Sequence, residues 1–534
     1  MRLAIDFLRA HGLRVPEWTT RGLKARATSL LLPFTLLALA AQAAPPDTYN
    51  VRAYGAKGDS ATLDTDAINR AITAAASAGG GTVLLPAGRY RSYSIRLRSH
   101  VALYLDQGAT LLAATPVGSV GYDAPEPAAN DQYQDFGHSH WHNSLIWGEN
   151  LVDVSILGPG TIYGQGLTRE GPHQAPVGNK AIALKLCRNV ILRDFTVRQG
   201  GHFALLATGV DNLTIDNLKL DTNRDGLDID CCHNVRVSNC TVNSPWDDAI
   251  CLKSSFALGY ARLTENVTIT NCQVSGFDRG SLLDGTYRRN EAALVPDHEG
   301  PTGRIKCGTE SNGGFRNIAI SNCVFEYCRG LALETVDGGL LEDIVISNIT
   351  MRDVINSPIF LRLSARMRGP AGTPVGALRR VSISNVNVYN ADARFATLFS
   401  GIPGHAIEDV RLSNISIWYK PLDAASASSI QADLPEDEKG YPEPQKLGVG
   451  PAYGFYIRHA KNVTLRDVNL YLLGSETRPA LMLTDVQNAT LQQVTVPAGP
   501  TASRLVLRNV SGLVVRDSDK LPDMKLSKTI TKSF

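Results

Sequence analysis

Three aspartates carry the strongest chemical signal in the sequence. Asp225 lies in the segment NRDGLDID (residues 223–230), and Asp247 and Asp248 follow it by 22 and 23 residues, again beside a short apolar run. Carboxyl groups held close together cannot all ionise at low cost, so one of them keeps its proton near neutral pH. A proton donor beside a carboxylate base can hydrolyse a glycosidic bond. A turn ladder that caps the chain, or a calcium site, would use the same residues.

The chain around these acids repeats itself at nearly the same interval. The unit is Asn or Asp, apolar residues at alternate positions, and then a second Asn or Asp. Such alternation predicts short strands, and Asn tolerates the left-handed backbone of the sharp turns between them. We count eleven copies, the first three beginning 22 or 23 residues apart, at positions 189, 212, 234, 266, 317, 343, 380, 409, 462, 488 and 509.

The repeat predicts an all-β fold, because a unit of this length holds about three short strands and cannot bury its apolar face alone. Stacked units bury a continuous interior, so we predict a parallel β-helix; leucine-rich repeats and propeller blades fit the spacing less well. An amphipathic helix over residues 64–76 precedes the repeats, with Ala67, Ile68, Ala71 and Ile72 on one face. Stacking places residues one period apart on neighbouring strands, about 4.8 Å apart. Asp225 and Asp248 are related in this way.

The ends of the chain predict export. Residues 1–43 have the features of a signal peptide, because Lys24 and Arg26 precede an apolar run and small residues follow it. Residues 44–518 form the predicted β-helix catalytic domain, and residues 519–534 a polar tail that we expect to fray. We therefore expect a monomer that lies in the periplasm or outside the cell and has no membrane contact after removal of the signal.

Charge and cysteine content exclude other classes of protein. The formal net charge is +2, of which residues 1–43 contribute +4 (six basic and two acidic side chains), so the remainder carries −2. This balance gives no electrostatic attraction to nucleic acid. Three of the nine cysteines, Cys240, Cys272 and Cys323, occupy the same place in the repeat. We expect them to stack as small buried hydrophobic side chains and not to form disulfides.

The paired acid motifs resemble those of glycoside hydrolase family 28, the polygalacturonases and related pectin hydrolases. The resemblance rests on the Asn-x-Asp-Gly motif at 223–226 and on the Asp pair one coil later, and residues 51–88 and 144–166 are also similar to that family. It implies a single-stranded, right-handed parallel β-helix of the pectin-lyase-like kind, with residues 51–88 as its N-terminal cap. It also implies hydrolysis with inversion at the anomeric carbon, and no metal or cofactor.

The same resemblance assigns roles to the three acids. Asp247 would be the general acid, and Asp225 and Asp248 would activate the attacking water. Inversion predicts that acid and base lie about 6.5 to 9.5 Å apart. The residues expected to bind substrate lie in the same coils or those beside them, and they are His202, Asn223, Asp228, Lys253, Arg304, Lys306, Glu310 and Glu334.

The chain also departs from the family in the next two coils. Polygalacturonases have Gly-His-Gly there and then Arg-Ile-Lys, whose cations hold the galacturonate carboxylate. At these places the chain reads TGRIKCGTE (302–310) and RGLALET (329–335), so Arg304 and Lys306 come one coil early and Glu334 would repel a uronate. The substrate is predicted to be a pectic chain with galacturonide or rhamnogalacturonan-type linkages, the latter fitting better. The long loops at 279–301 and 420–454 are expected to form cleft walls and to favour exo action.

Two other functions remain open on the sequence. A pectate-lyase-like β-helix would use calcium and a strong base, and a non-catalytic β-helix would only bind carbohydrate. His138, His140 and His142 lie on one side of an extended segment and could bind a metal. Because no acidic or thiol fourth ligand lies nearby in the sequence, we expect these histidines to line the cleft or pack a loop.

Overall fold

The computed structural model describes residues 48–127, 129–134, 137–169, 175–290, 300–497 and 503–534. The predicted signal peptide, residues 1–43, lies outside the described residues. Pro46–Phe534 forms one structural unit. In the parts of the chain that are described, no helix is long and apolar enough to cross a membrane.

Strands make up most of the described chain. In order they are β1 Thr48–Asn50, β2 Asp59–Leu63, β3 Gly81–Leu85, β4 Gly88–Ser92, β5 Ile95–Arg96, β6 Val101–Leu105, β7 Ala109–Ala113, β8 Ser144–Glu149, β9 Val152–Leu157, β10 Thr161–Tyr163, β11 Lys180–Lys185, β12 Arg188–Arg193, β13 Thr196–Arg198, β14 Phe203–Thr208, β15 Asp211–Asp216, β16 Lys219–Asp221, β17 Asp225–Asp230, β18 His233–Ser238, β19 Thr241–Asn243, β20 Ile250–Ser254, β21 Thr264–Thr270, β22 Gln273–Ser275, β23 Ile305–Ser311, β24 Phe315–Glu326, β25 Leu331–Thr335, β26 Leu340–Arg352, β27 Ile359–Leu363, β28 Ala377–Ala391, β29 Thr397–Ser400, β30 Ile407–Tyr419, β31 Phe455–Leu472, β32 Leu481–Thr495, β33 Leu505–Ser511, β34 Leu513–Arg516, β35 Met524–Leu526 and β36 Ile530–Ser533. The helices are α1 Thr65–Ser77, α2 Ser281–Asp284, α3 Ala424–Ser428 and α4 Pro444–Leu447, with 3₁₀ turns at Val51–Tyr54 and Asp131–Tyr133.

Equivalent strands of successive coils pair in parallel, which confirms the predicted parallel β-helix. On the face that carries the acids, β14 pairs with β17, β17 with β20, β20 with β23, and β23 with β25. Two further faces repeat this order, one through β12, β15, β18 and β21 and one through β13, β16, β19 and β22. From β24 onward, strands of adjacent faces join into single long strands.

Asparagine forms the predicted ladder at one corner of the coils. Asn189, Asn212, Asn234 and Asn266 all have φ between 55° and 57°, in the left-handed region. The side-chain amides of the last three donate to the Asn of the coil before, at 2.9 Å for Asn212 to Asn189, 3.2 Å for Asn234 to Asn212 and 3.1 Å for Asn266 to Asn234. The amide of Asn189 donates to Asp153 at 2.7 Å. The repeat residue therefore both turns the chain and links neighbouring coils.

The interior of the coils is apolar, as the alternation predicted. The inward side chains of the strands form one continuous core, to which α1 contributes Ala67, Ile68, Ala71, Ile72 and Ala75. This confirms the predicted capping helix and its buried face. All nine cysteines lie within the described ranges and are free and buried, as expected for small hydrophobic side chains.

The C-terminal tail differs from its prediction. β35 pairs antiparallel with β34, and β36 pairs antiparallel with β33. Leu521 is buried in the core, and Met524, Leu526, Ile530 and Phe534 pack against it. The expectation that residues 519–534 fray is wrong, because these spaced apolar side chains cover the open end of the last coil, where an unpaired edge would otherwise be exposed.

Candidate active site

The three predicted catalytic aspartates meet at one edge of the face that runs through β17 and β20. Asp225 begins β17, and Asp247 and Asp248 directly precede β20. One carboxylate oxygen from each of the three lies within 4.8 Å of the others. This is shorter than the 6.5 to 9.5 Å expected for an inverting acid and base, so that expectation is not met. The cause is the coil spacing of about 4.8 Å, which brings acids on adjacent coils close together.

Asp225 is a buried carboxyl group that is set up to hold a proton. Neither of its oxygens has a hydrogen-bond partner among the described residues, and the Nε atom of Arg224 is 4.0 Å from Oδ2. Burial, followed by the nearby charges of Asp247 and Asp228, raises the pKa of Asp225 well above its usual value. The surroundings of Asp225 therefore favour its protonated form.

Asp248 is equally buried but stays ionised. Its Oδ1 accepts from Nε of Arg304 at 2.8 Å, and its Oδ2 lies 3.4 Å from Nζ of Lys306. Burial by itself would raise the pKa of Asp248, but the charges of Lys306 and Arg304 outweigh it and hold the pKa below its ordinary value. The pKa values of two buried carboxyl groups on adjacent coils are thus shifted in opposite directions because their cationic neighbours differ.

Asp247 is the most accessible of the three acids. Its side chain is 16% exposed, against 2% for Asp225 and 4% for Asp248. Its Oδ2 lies 3.0 Å from Nε of Arg224, and its Oδ1 accepts from the backbone N–H of Asp248 at 3.0 Å. A sugar that reaches the trio from solvent therefore meets Asp247 first.

The predicted substrate-binding cations lie beneath the surface and contact the protein's own carboxylates. Lys253 lies 3.4 Å from both Asp228 and Glu310. Lys306 lies 3.4 Å from Glu334 as well as from Asp248. The three cations are buried and do not face an open cleft. In this structure each cation and its carboxylate neighbours stabilise one another's charge.

Glu334 does not present an uncompensated negative charge. Its side chain is fully buried, and Arg304 and Lys306 lie 3.9 Å and 3.4 Å from its oxygens. Burial raises the pKa of Glu334 to about 7 although these two cations act in the opposite direction. Glu334 is therefore a buried partner of the cations. The sequence predicted that it would repel a uronate, but a buried side chain paired with two cations is not exposed to a substrate.

The 420–454 loop, which the sequence predicted to be a cleft wall, contacts the buried cations Arg304 and Arg329. Glu443 forms a short ion pair with Arg304 and lies 3.1 Å from Nη1 of Arg329. Tyr441 Oη accepts a hydrogen bond from Thr309 Oγ1 at 3.0 Å. We call this part of the site, made of Arg304, Lys306, Glu334 and Glu443, the closed side. The second predicted wall, 279–301, is described only as far as residue 290 and again from 300.

In the opposite part of the site, the sequence analysis predicted Asp247 and His202 but did not predict Arg224, Trp246, Arg169 or Arg279. Arg224 lies between Asp247 and the ring of His202, which it contacts through its Nη1 atom. Trp246 precedes Asp247 and has the guanidinium carbons of Arg169 and Arg279 at 4.6 Å and 5.3 Å from its ring centroid. We call these residues with Asp247 the open side. The available signal was the position of Arg224 inside the Asn-x-Asp motif.

The two predicted binding residues next to Arg224 are largely buried. His202 is buried one coil before Asp225, and burial together with Arg224 lowers the pKa of His202 well below its usual value. Asn223 is also buried, with its Oδ1 atom 3.4 Å from the Thr222 hydroxyl. A neutral His202 can rest against the Arg224 guanidinium without repelling it.

The three histidines of the 138–142 segment do not converge on one point. His138 Nε2 lies 3.2 Å from Asp228 Oδ2, beneath the acids. His140 lies 3.2 Å from Asp131, and His142 lies 2.9 Å from Glu149 and stacks on Trp147. Each ring thus has its own acidic partner, in keeping with the loop-packing role that the sequence favoured.

The three aspartates are close enough together to hold a cation, but their surroundings fit one poorly. Arg224 contacts Asp247, while Arg304 and Lys306 contact both oxygens of Asp248. Calcium sites use several free oxygen ligands. Here the positive charges of the protein already meet two of the three carboxyl groups, which disfavours the calcium-dependent alternative.

Comparisons with known proteins agree with this architecture. A family model described as "Rhamnogalacturonase A/epimerase, pectate lyase-like" matches residues 48–134, and one described as "Right handed beta helix region" matches residues 173–294. The chain is 26% identical to a "Probable polygalacturonase" of Vitis vinifera over 368 residues, 63% of this chain and 73% of that one. It is 30% identical to an "Exo-poly-alpha-D-galacturonosidase" of Dickeya chrysanthemi over 174 residues, 32% of this chain and 28% of the other.

A solved structure shows the same fold. The family 28 exopolygalacturonase of Yersinia enterocolitica superposes with a TM-score of 0.60 at 18% identity, covering 83% of this chain and 78% of that chain. The superposition shows that the fold is a right-handed parallel β-helix. The relatives named polygalacturonase and exo-poly-alpha-D-galacturonosidase support the predicted class of enzyme, a glycosidase, and agree with the resemblance to glycoside hydrolase family 28 that the sequence indicated.

Proposed function

We propose that this chain is an exported glycosidase that hydrolyses a galacturonide or rhamnogalacturonan-type linkage in a pectic poly- or oligosaccharide. The observation that carries the proposal is the trio of carboxyl groups gathered on adjacent coils, in which the pKa of Asp225 is raised and that of Asp248 is lowered. The relatives named polygalacturonase and exo-poly-alpha-D-galacturonosidase support a pectic substrate.

The proposed chemistry divides the work among the three acids. Asp247, the most accessible, donates a proton to the glycosidic oxygen as the bond from that oxygen to the anomeric carbon breaks. Asp248 takes a proton from the water that attacks the anomeric carbon. Asp225 was also predicted to activate this water, but its raised pKa favours its protonated form, which makes it a weaker candidate for the base than Asp248.

We propose inversion on the strength of the family resemblance, although the spacing of the acids counts against it. A retaining enzyme would need one carboxylate to attack the sugar, and both oxygens of Asp248 are engaged by Arg304 and Lys306. Proton NMR during the first minutes of turnover identifies the anomer that is released. A first-formed product with the anomeric configuration of the substrate would rule out inversion.

We also propose exo action, because Glu443 and Tyr441 close one side of the acid cluster. A closed end leaves room for a chain terminus and excludes the interior of a long polymer. The viscosity of a galacturonan solution should then fall slowly while reducing ends accumulate. A rapid early loss of viscosity would show cleavage within the chain.

One variant tests the enzymatic proposal as a whole. Asp247→Asn removes the proton donor and should lower kcat by about 10³-fold or more on a panel of galacturonan and rhamnogalacturonan oligosaccharides. Asp194→Asn, at an exposed outer turn, is the matched control and should leave kcat unchanged. Equal turnover by wild type and Asp247→Asn would remove Asp247 from its role.

Two measurements separate the alternatives. A lyase would form an unsaturated product that absorbs in the ultraviolet and would lose activity with a chelator. A binding protein would retain pectic oligosaccharides without releasing reducing ends, and Asp247→Asn would not change that. Hydrolysis without ultraviolet absorbance is the expected result.

A further inference from the structure

Arg224 keeps contact with solvent where the other site cations do not. Its side chain is 22% exposed, whereas those of Arg304 and Lys306 are 2% exposed. Its Nε lies 3.0 Å from Asp247 Oδ2, so a ligand that reaches the most accessible acid also reaches this guanidinium. Lys253, Arg304 and Lys306 are engaged by buried carboxylates and cannot serve an incoming anion in this arrangement.

Two more guanidinium groups extend the positive charge along the open side. Arg169 and Arg279 lie over the ring of Trp246, which precedes Asp247 in the chain. Arg279 is exposed and Arg169 is half-buried. Three segments distant in sequence thus place arginines at the adjacent residues Trp246 and Asp247. Arginine binds carboxylates through two parallel N–H···O bonds, so this wall is suited to an anionic sugar.

We propose that Arg224, assisted by Arg169 and Arg279, binds the carboxylate of a uronic acid unit at the cleavage point and makes the enzyme selective for anionic over neutral sugars. This proposal rests on the glycosidase function proposed above and specifies its substrate. In this chain the role falls to the Asn-x-Asp motif itself, since β25, the strand that carries Ala332 and Glu334, contains no Lys or Arg.

The contact between Arg224 and Asp247 connects recognition with chemistry. In the free enzyme the Nε atom of Arg224 lies 3.0 Å from Asp247 Oδ2. A uronate carboxylate that binds the same guanidinium is therefore held beside Asp247, which brings the glycosidic oxygen of that sugar within reach of the proposed general acid.

The test compares two substrates with the same sugars and linkages, one with free carboxylates and one in which methyl esters remove the charge. A short oligogalacturonide and its fully methyl-esterified form are given to wild type and to Arg224→Gln, and kcat/KM is measured for each. We expect the ratio of acid to ester to fall about 10- to 100-fold in the variant, the range for one hydrogen bond to a charged group. Any change in the acidity of Asp247 affects both substrates and cancels in this ratio.

Further variants measure how much each arginine contributes to the selectivity for the acid substrate. Arg224→Lys should retain part of the selectivity, and the double variant Arg169→Gln with Arg279→Gln should lose less than Arg224→Gln. Arg352→Gln is the matched control, because Arg352 also lies over an aromatic ring, that of Tyr389 at 5.0 Å, outside the site. An unchanged ratio in Arg224→Gln, with normal folding by circular dichroism, would overturn the proposal.

A binding measurement keeps this result distinct from failure of the enzymatic proposal. Calorimetric titration of wild type with galacturonate and with methyl galactoside needs no turnover. Tighter binding of galacturonate that is lost in Arg224→Gln supports the role of Arg224 even if neither oligosaccharide is cleaved. Equal affinities of wild type for the two sugars would overturn it, whatever the turnover.

Discussion

The closed side and the open side of the acid cluster use cations in opposite ways. On the closed side, Arg304 and Lys306 are buried and shared among Asp248, Glu334 and Glu443. On the open side, Arg224 contacts the partly exposed Asp247. Removal of one member of a buried ion pair leaves an uncompensated charge, while a partly solvated pair costs little to separate. The closed side therefore favours the ionised form of Asp248, and the open side keeps Asp247 and Arg224 partly exposed to solvent.

The largest expected effect on stability is at the closed side. Arg304→Met leaves Asp248 and Glu443 without their shared cation and should lower the free energy of unfolding by about 3 to 5 kcal/mol. The midpoint of urea unfolding, followed by circular dichroism, measures this loss. Arg411→Met changes an exposed strand arginine and is the control. A loss no larger than that of the control would mean that the closed side does not hold the structure together.

A pH titration should show the next effect, at Asp225. Its folded pKa is raised, so the folded protein binds a proton that the unfolded chain releases near pH 4, and wild type loses stability as the pH rises from there toward the folded pKa. The loss contributed by this one group is at most about 1.4 kcal/mol per pH unit. Asp225→Asn should flatten this slope in unfolding midpoints measured from pH 4 to 8. A steeper fall in the variant would contradict the assignment of the proton to Asp225.

The same methionine replacement at the open side should have a smaller effect. Arg224→Met removes a cation from a partly exposed pair and should change the free energy of unfolding by about 1 kcal/mol or less. Measured under the same urea conditions as Arg304→Met, the two variants give the contrast directly. Equal losses would remove the distinction between the two sides.

The smallest expected effect is that of metal removal. Because Arg224, Arg304 and Lys306 already contact the acids, turnover should stay the same after dialysis against EDTA and after addition of calcium. The release of reducing ends before and after treatment is the measurement. Activity that disappears with EDTA and returns with calcium would restore the pectate-lyase-like alternative.

Local rules account for the success of the fold prediction. Each Asn of the ladder marks a corner through its own backbone conformation, and the alternation of apolar residues fixes which side chains face the interior. The tail was predicted wrongly because its apolar residues, such as Leu521 and Phe534, are too widely spaced to form a recognisable pattern. They matter only because the last coil offers an open end on which they can pack.

The sequence by itself determined the coil and the meeting of three acids, because a repeat of fixed length stacks equivalent residues about 4.8 Å apart. Only the tertiary structure decided which cations are buried and which remain accessible. Arg304 is paired with Glu443, 139 residues away in a loop outside the repeat, and no periodicity relates the two. Arg224 stays partly exposed because, among the described residues, its ion pairs are with Asp225 and Asp247 and not with the 420–454 loop.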